Sequence, residues 1–115
     1  MSIEDRLADL GIDLPPVAKP VAAYVPAIQV GDQISTSGQL PLVSGSLPMT
    51  GLVGDQISQG DAAGQARVAA LNALAAAADV AGGVNNIRRV VRVVVYVAST
   101  ADFTAQPAVA NGASE

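Results

Sequence analysis

Apolar and polar positions along the chain predict a short helix followed by a proline-rich extension over residues 1–20. Apolar residues recur at helical spacing between residues 3 and 10, and Ser2 before them suits the N-cap of a helix. Gly11 suits the end of that helix, because glycine readily adopts the left-handed backbone found there. Four prolines between residues 14 and 26 then keep the chain extended.

A β-hairpin is predicted next. Residues 27–30 and 33–37 are typical of short strands, and the Gly31-Asp32 pair between them favours a two-residue turn. Glycine and proline punctuate the following stretch, residues 41–57, which is therefore predicted to be a loop.

A long alanine-rich helix follows this loop. Ser58 suits its N-cap, with Asp61 three residues further on, and Gly82-Gly83 suits its end after Val80. Alanine forms helices readily and leaves room for close approach to a neighbour. We expect that neighbour to be a sheet.

The stretch "IRRVVRVVVYVAS", residues 87–99, is the clearest predicted strand because β-branched residues dominate it. Its odd positions from 91 to 97 are all valine, while its even positions mix valine with Arg92 and Tyr96. A loop and the start of a second helix complete the chain. The order β-β-α-β indicates an α+β domain, and 115 residues suit a single domain.

Histidine and cysteine are both absent from the sequence. This excludes Ser-His-Asp and Cys-His nucleophilic chemistry, zinc sites built from those residues, and disulfides. Only carboxylates remain as metal ligands, which favours magnesium or calcium, but Asp55, Asp61 and Asp102 lack the spacing of a metal loop. We therefore expect no metal.

Charge and hydropathy limit which partners are expected for this protein. The formal net charge is −4, so nucleic acid is not an expected partner. Arg88, Arg89 and Arg92 could bind an anion, but we expect them instead to lie at a strand start in solvent or to form ion pairs across a subunit contact. No apolar run is long enough to span a membrane, and the acidic start does not resemble a secretory signal, which indicates a cytoplasmic protein.

Two short features offer candidate chemistry. The string "STSGQLP" places the Ser37 hydroxyl, the Gly38 amide and the Gln39 side chain where a strand gives way to a turn. Tyr24 stands alone among proline, valine and alanine, so its hydroxyl could face a pocket. A strand end with a turn, and a packed ring with its hydroxyl bonded internally, explain the same residues without a site.

Three passages together resemble the YjgF/RidA family, also known as endoribonuclease L-PSP: "YVPAIQVGDQISTSGQLPL", "ALNALAA" and "IRRVVRVVVYVASTADFTAQP". The resemblance covers roughly residues 21–115, and "EDRLADLGIDLPP" ahead of it resembles one branch of the family. It implies a single RidA-like domain over residues 1–115. The implied fold is chorismate-mutase-like, with helices on one face of a mixed sheet, and the implied assembly is a homotrimer with clefts between subunits.

The resemblance also implies an activity. Active members hydrolyse reactive enamines and imines, such as 2-iminopropanoate and 2-iminobutanoate, to keto acids and ammonia without a cofactor. By position, Tyr24 and Ser37 match catalytic residues, and Gly38, Gln39 and Tyr96 are expected to contact substrate. A family asparagine in the second helix is replaced by a proline, residue 107, and the asparagine one turn further on is a weak substitute.

Family members continue well past the position of Glu115. The segment that follows carries an arginine that binds the substrate carboxylate and a glutamate that positions water, so we expect this chain to be truncated and, taken alone, inactive. Three functions stay open: an imine deaminase, a non-catalytic trimer that binds keto acids or other small carboxylates, and, more remotely, an endoribonuclease.

Overall fold

The computed structural model describes residues 2–17 and 23–115. The predicted proline-rich extension lies partly outside these residues, at positions 18–20, and residues 21 and 22 lie outside them as well. The described elements, in chain order, are α1 (Ile3–Asp9), β1 (Ala27–Val30), β2 (Gln33–Thr36), α2 (Gln59–Ala81), a 3₁₀ helix (Val84–Asn86) and α3 (Gln106–Ser114). The predicted α+β class is confirmed.

Helix α1 begins and ends where the sequence predicts. The Ser2 Oγ accepts a hydrogen bond from the Asp5 N–H at 3.1 Å, and the Asp5 carboxylate accepts one from the Ser2 N–H at 3.3 Å, which together form a capping box. After the last turn Gly11 has φ +69°, and the Ile12 N–H donates to the Leu7 carbonyl at 2.9 Å. This arrangement is a Schellman motif, which a glycine at that position makes possible.

The hairpin is formed as predicted. Strands β1 and β2 pair antiparallel, and Val30 lies opposite Gln33 across the two-residue turn. Gly31 in this turn has φ +60°, a conformation that side chains with a Cβ rarely adopt. At the open end of the hairpin, the Ser37 N–H donates to the Pro26 carbonyl at 2.8 Å, so the pairing extends by one residue on each strand.

Helix α2 also has the predicted ends. Ser58 Oγ accepts from the Asp61 N–H at 3.1 Å and caps the first turn. Gly82 has φ +81°, and the Gly83 N–H donates to the Ala78 carbonyl at 2.9 Å, which closes the last turn as a second Schellman motif.

The chain divides into two compact units. The first comprises residues 1–39 and 71–91, and therefore α1, the hairpin and the second half of α2. Within it the Glu4 N–H donates to the Asn85 side-chain oxygen at 2.9 Å, and the Asn85 amide donates to the Glu4 carboxylate at 3.2 Å. These two hydrogen bonds join α1 to the 3₁₀ helix.

The second unit comprises residues 40–70 and 92–115 and contains a small apolar core. Val53, Ala62 and Val109 are buried there, and Phe103 packs against them. Gly112 of α3 lies so close to α2 that a Cβ on it would overlap the carbonyl group of Ala63. In this unit, therefore, the close neighbour of the alanine-rich helix is another helix, whereas we expected a sheet.

The predicted strand at residues 87–99 is not formed among the described residues. No strand is present between residues 87 and 98, and the segment pairs only at its end, where the Val53 N–H donates to the Ala98 carbonyl at 2.9 Å and the Thr100 N–H donates to the Val53 carbonyl at 3.0 Å. The predicted order β-β-α-β is therefore wrong at its last element. The described sheet is the two-stranded antiparallel hairpin, where a mixed sheet was expected.

The valine-rich segment is also more exposed than its pattern predicts. Val91 is 72% exposed and Val93 is 53% exposed, although both belong to the all-valine face of the predicted strand. The preference of β-branched residues for strands reflects packing on a pleated surface, and a strand also needs hydrogen-bond partners on a neighbouring strand. Residues 88–97 find no such partner in the described part of the chain.

Candidate functional site

A surface groove of about 410 Å³ lies at the open end of the hairpin, within the first unit. Antiparallel pairing produces it, because the residues leading into β1 come to lie beside those that leave β2. Its walls combine one aromatic ring, three small hydroxyl side chains and aliphatic surface: Tyr24, Val25, Ala27, Ile28, Ser35, Thr36 and Ser37.

Ser37 forms the most highly connected part of this groove. Its N–H donates to the Pro26 carbonyl at 2.8 Å, and its Oγ donates to the same carbonyl at 3.3 Å. The Gln39 side-chain amide donates to Ser37 Oγ at 3.1 Å. Ser37 and Gln39 are both half-buried, so the hydroxyl is held from two sides in a partly desolvated place.

Gly38 lies in the turn between these two side chains and is exposed. A Cβ built on it would meet no atom within 4 Å. Its N–H makes no hydrogen bond among the described residues. The backbone at Gly38 is therefore open to a ligand and offers an N–H that has no partner among the described residues.

The two tyrosines have different surroundings. Tyr24 lines the groove and is 40% exposed, so its ring forms part of a wall and still contacts solvent. Tyr96, which we expected to contact substrate, belongs to the second unit and is 93% exposed. The structure thus brings Tyr24, Ser37 and Gln39 together in the first unit, with Gly38 beside them.

Pro107 lies in the first turn of α3 and is exposed. Proline is well suited to that position, because the first helical N–H groups have no partner within the helix. Asn111 is exposed on the same helix, in the second unit. Neither residue is among those that line the hairpin groove.

Sequence reasoning missed the Pro26 carbonyl, which accepts two hydrogen bonds from Ser37. The signal was present in the predicted hairpin. Extending the register one residue past the pair Ala27 and Thr36 places Pro26 opposite Ser37.

A second groove, of about 500 Å³, lies in the same unit at the end of α2. Its lining is mostly small or cyclic and contains a single charged side chain, that of Asp79: Pro15, Pro16, Val17, Ala75, Ala78, Asp79, Gly82 and Gly83. Although it is larger, it lacks the converging hydroxyl and amide groups of the hairpin groove. The hairpin groove is therefore the better candidate site.

Across residues 2–17 and 23–115, no helix has both the length and the apolar character needed to cross a bilayer. Within the same part of the chain, no three carboxylates lie close enough together to hold a metal ion.

Solved structures support the chorismate-mutase-like fold. One, a "putative endoribonuclease" from Shewanella oneidensis MR-1, superposes with a TM-score of 0.89 at 32% identity, over 99% of this chain and 76% of that one. Another, the protein Atu1372 of unknown function from Agrobacterium tumefaciens, gives a TM-score of 0.78 at 38% identity, over 98% of this chain and 69% of that one.

Sequence comparison leads to the same group of proteins. Protein TCP17 of Trypanosoma cruzi is 38% identical over 110 residues, which is 96% of this chain and 69% of that protein. Residues 4–115 match the family described as "YjgF/chorismate_mutase-like, putative endoribonuclease". The chain therefore belongs to the YjgF/chorismate-mutase-like family.

Proposed function

We propose that this protein is a hydrolytic deaminase of reactive enamines and imines of the 2-iminopropanoate and 2-iminobutanoate type. The observation that carries the proposal is the Ser37 hydroxyl, fixed between the Pro26 carbonyl and the Gln39 amide on the wall of a groove that Tyr24 also lines. The resemblance of "STSGQLP" and Tyr24 to the RidA motifs supports the same assignment.

The chemistry suits a site made of neutral hydrogen-bonding groups. An imine and water give a keto acid and ammonia: the water oxygen bonds to the imine carbon, the carbon–nitrogen bond breaks, and both water protons end on the nitrogen, which leaves as ammonia. No electrons are gained or lost, so the reaction needs no redox partner. Because an imine carbon is already electrophilic, orienting the water and the nitrogen provides much of the catalysis.

Each proposed residue has a role that its surroundings permit. The Gly38 N–H can donate to an oxygen of the substrate, since it has no partner among the described residues. The Ser37 Oγ can contact the reacting nitrogen or the attacking water. The Tyr24 hydroxyl can hydrogen-bond in the groove, while its ring limits access of bulk water to one side.

Ammonia release from 2-iminobutanoate, generated in situ by an amino-acid oxidase, tests this proposal. The chain spans 69–76% of the relatives it matches, so the assay uses a protein that extends to their full length. That protein should raise the rate above that in buffer. Ser37→Ala should lower kcat/KM by roughly tenfold or more, the effect of losing one hydrogen bond to a charged group. The matched control is Ser46→Ala, because Ser46 is exposed and its side chain makes no hydrogen bond among the described residues. A wild-type rate equal to that of buffer would exclude the deaminase.

A second candidate is a binding protein without turnover, for keto acids or related small carboxylates. The proline at residue 107 favours it, because the corresponding family contact is absent. Calorimetry with 2-oxobutanoate separates the two functions. Heat of binding combined with a buffer-level rate of ammonia release supports the binding protein. The absence of any heat of binding excludes the binding protein.

Ribonuclease activity is a third candidate, favoured by the name of the family and by that of the Shewanella protein. The net charge of −4 and the absence of histidine argue against it. RNA cleavage that persists through repurification and disappears in Ser37→Ala would establish it.

We also propose that the protein assembles as a homotrimer. The exposed valines of residues 90–94 support this, since a large apolar surface is commonly covered by a partner.

A further inference from the structure

The Ser37 hydroxyl has a fixed number of hydrogen bonds to make. A serine hydroxyl carries one proton to donate and two lone pairs that can accept. Its proton is directed to the Pro26 carbonyl at 3.3 Å, and one lone pair accepts from the Gln39 amide at 3.1 Å. One lone pair is left for a ligand.

The direction of both hydrogen bonds follows from the partners. A carbonyl oxygen cannot donate, so the Ser37 proton must point toward Pro26. An amide NH₂ group cannot accept, so the bond from Gln39 must end on a lone pair of Oγ. The same carbonyl also accepts from the Ser37 N–H at 2.8 Å, which ties the geometry to the hairpin backbone.

We infer that Gln39 is a positioning residue that holds the Ser37 hydroxyl as a hydrogen-bond acceptor, so that the ligand group at Ser37 must be a donor. An N–H of a protonated imine or a water molecule fits this requirement, whereas a keto oxygen does not. This inference rests on the proposed function for the identity of the ligand. It revises the sequence-based expectation that Gln39 contacts substrate directly.

The arrangement has two chemical consequences. Ser37 does not act as a nucleophile, because its proton is bonded to a main-chain carbonyl, which is too weak a base to remove it. The site also distinguishes substrate from product at one atom. Hydrolysis converts the nitrogen donor into a keto oxygen, which has no proton for Ser37, so product binding is weakened and release is favoured.

A spectroscopic measurement tests the positioning without any ligand. Solvent exchange of side-chain amide protons is measured by NMR for Gln39 and for Gln59, an exposed residue whose side chain makes no hydrogen bond among the described residues. The Gln39 protons should exchange more slowly than those of Gln59, and Ser37→Ala should remove the difference. Equal rates in the wild-type protein, or no change in Ser37→Ala, would overturn the inference.

A binding measurement tests the ligand class. The probes are 2-aminobutanoate, which presents an ammonium donor, and 2-oxobutanoate, which presents a keto acceptor on the same carbon chain. Titrations followed at the Gly38 amide resonance should show about tenfold tighter binding of 2-aminobutanoate. The ratio should approach one in Ser37→Ala and fall in Gln39→Met, a variant of similar length that has no donor. Thermal unfolding of each variant shows that it is folded.

The outcomes separate this inference from the proposed function. A preference for 2-aminobutanoate that depends on Ser37 supports the inference even if no imine is hydrolysed, in which case only the deaminase proposal fails. Equal or weaker binding of 2-aminobutanoate, or no binding of either probe, overturns the inference even if ammonia is released.

Discussion

Ser37 belongs to the hairpin and to the candidate site at the same time. Its N–H extends the pairing to Pro26, while its hydroxyl lies in the groove and bonds to Pro26 and Gln39. The backbone bond is independent of the side chain. Ser37→Ala should therefore keep the hairpin and lose only about 0.5–1.5 kcal/mol for each side-chain hydrogen bond. A loss of activity in Ser37→Ala would therefore report on the role of the hydroxyl in the site and not on loss of the hairpin.

Gly38→Ala should separate ligand binding from stability. The added methyl would meet no atom within 4 Å, and φ at Gly38 lies outside the left-handed region, so the folded backbone is not strained. Restricting the unfolded chain should then leave stability unchanged or raise it by about 0.4–1 kcal/mol. Binding of 2-aminobutanoate should weaken, because the methyl occupies the approach to the free N–H. Urea unfolding and NMR titration measure the two effects, and binding at wild-type strength would show that Gly38 does not face the ligand.

At the level of residue types, the sequence selected Tyr24 and Ser37, which line one groove, and their role in a functional site stays a prediction. Their selection rested on the resemblance to the YjgF/RidA motifs, because a packed tyrosine and a strand-end serine are ordinary by themselves. The role of Gln39 could not be predicted, because it depends on a side-chain orientation that brings its amide within 3.1 Å of Ser37 Oγ.

Elements whose signals are local were predicted almost to the residue. Caps at Ser2 and Ser58 and helix-ending glycines at Gly11 and Gly82 act through neighbours within a few positions. The hairpin likewise depends on a two-residue turn. Residues 87–99 differ, because a strand is completed by partners distant in sequence, and composition alone does not supply them.

Gly112→Ala should destabilise the second unit. Its Cβ would lie 2.6 Å from the Ala63 carbonyl carbon, so α2 and α3 would have to move apart. We expect a loss of about 1–3 kcal/mol, as for other overpacked sites.

The matched control for this variant is Gly64→Ala on α2, where a Cβ would meet nothing within 4 Å. It should stabilise the protein by about 0.5–1 kcal/mol, because glycine is less favourable than alanine inside a helix. Thermal unfolding of both variants measures these changes. Equal effects of the two substitutions would show that α3 does not approach α2 as described.

At the scale of the whole molecule, the exposure of the valine-rich segment is difficult to explain for a single copy of the chain. Val90, Val91, Val93 and Val94 are all more than half exposed. Several exposed large apolar side chains within one short segment suit a surface that a partner covers. The homotrimer proposal rests on this surface.

Sedimentation velocity tests the assembly. The wild-type protein should sediment as a trimer, and Val93→Lys should shift it toward the monomer, because a lysine charge is costly in an apolar contact. Val43→Lys serves as the control, since Val43 is also exposed but lies in a separate turn. A wild-type protein that is monomeric at all concentrations would contradict the proposal, as would equal effects of the two lysine variants.

The most direct test of the account is the steady-state rate of ammonia release from 2-iminobutanoate. It should be compared at matched concentrations for the wild-type protein, Ser37→Ala and Ser46→Ala, each extending to the full length of the relatives that this chain matches. The account predicts a saturable rate above buffer that falls roughly tenfold or more in Ser37→Ala and is unchanged in Ser46→Ala. A wild-type rate no higher than buffer, or equal rates for wild type and Ser37→Ala, would contradict it.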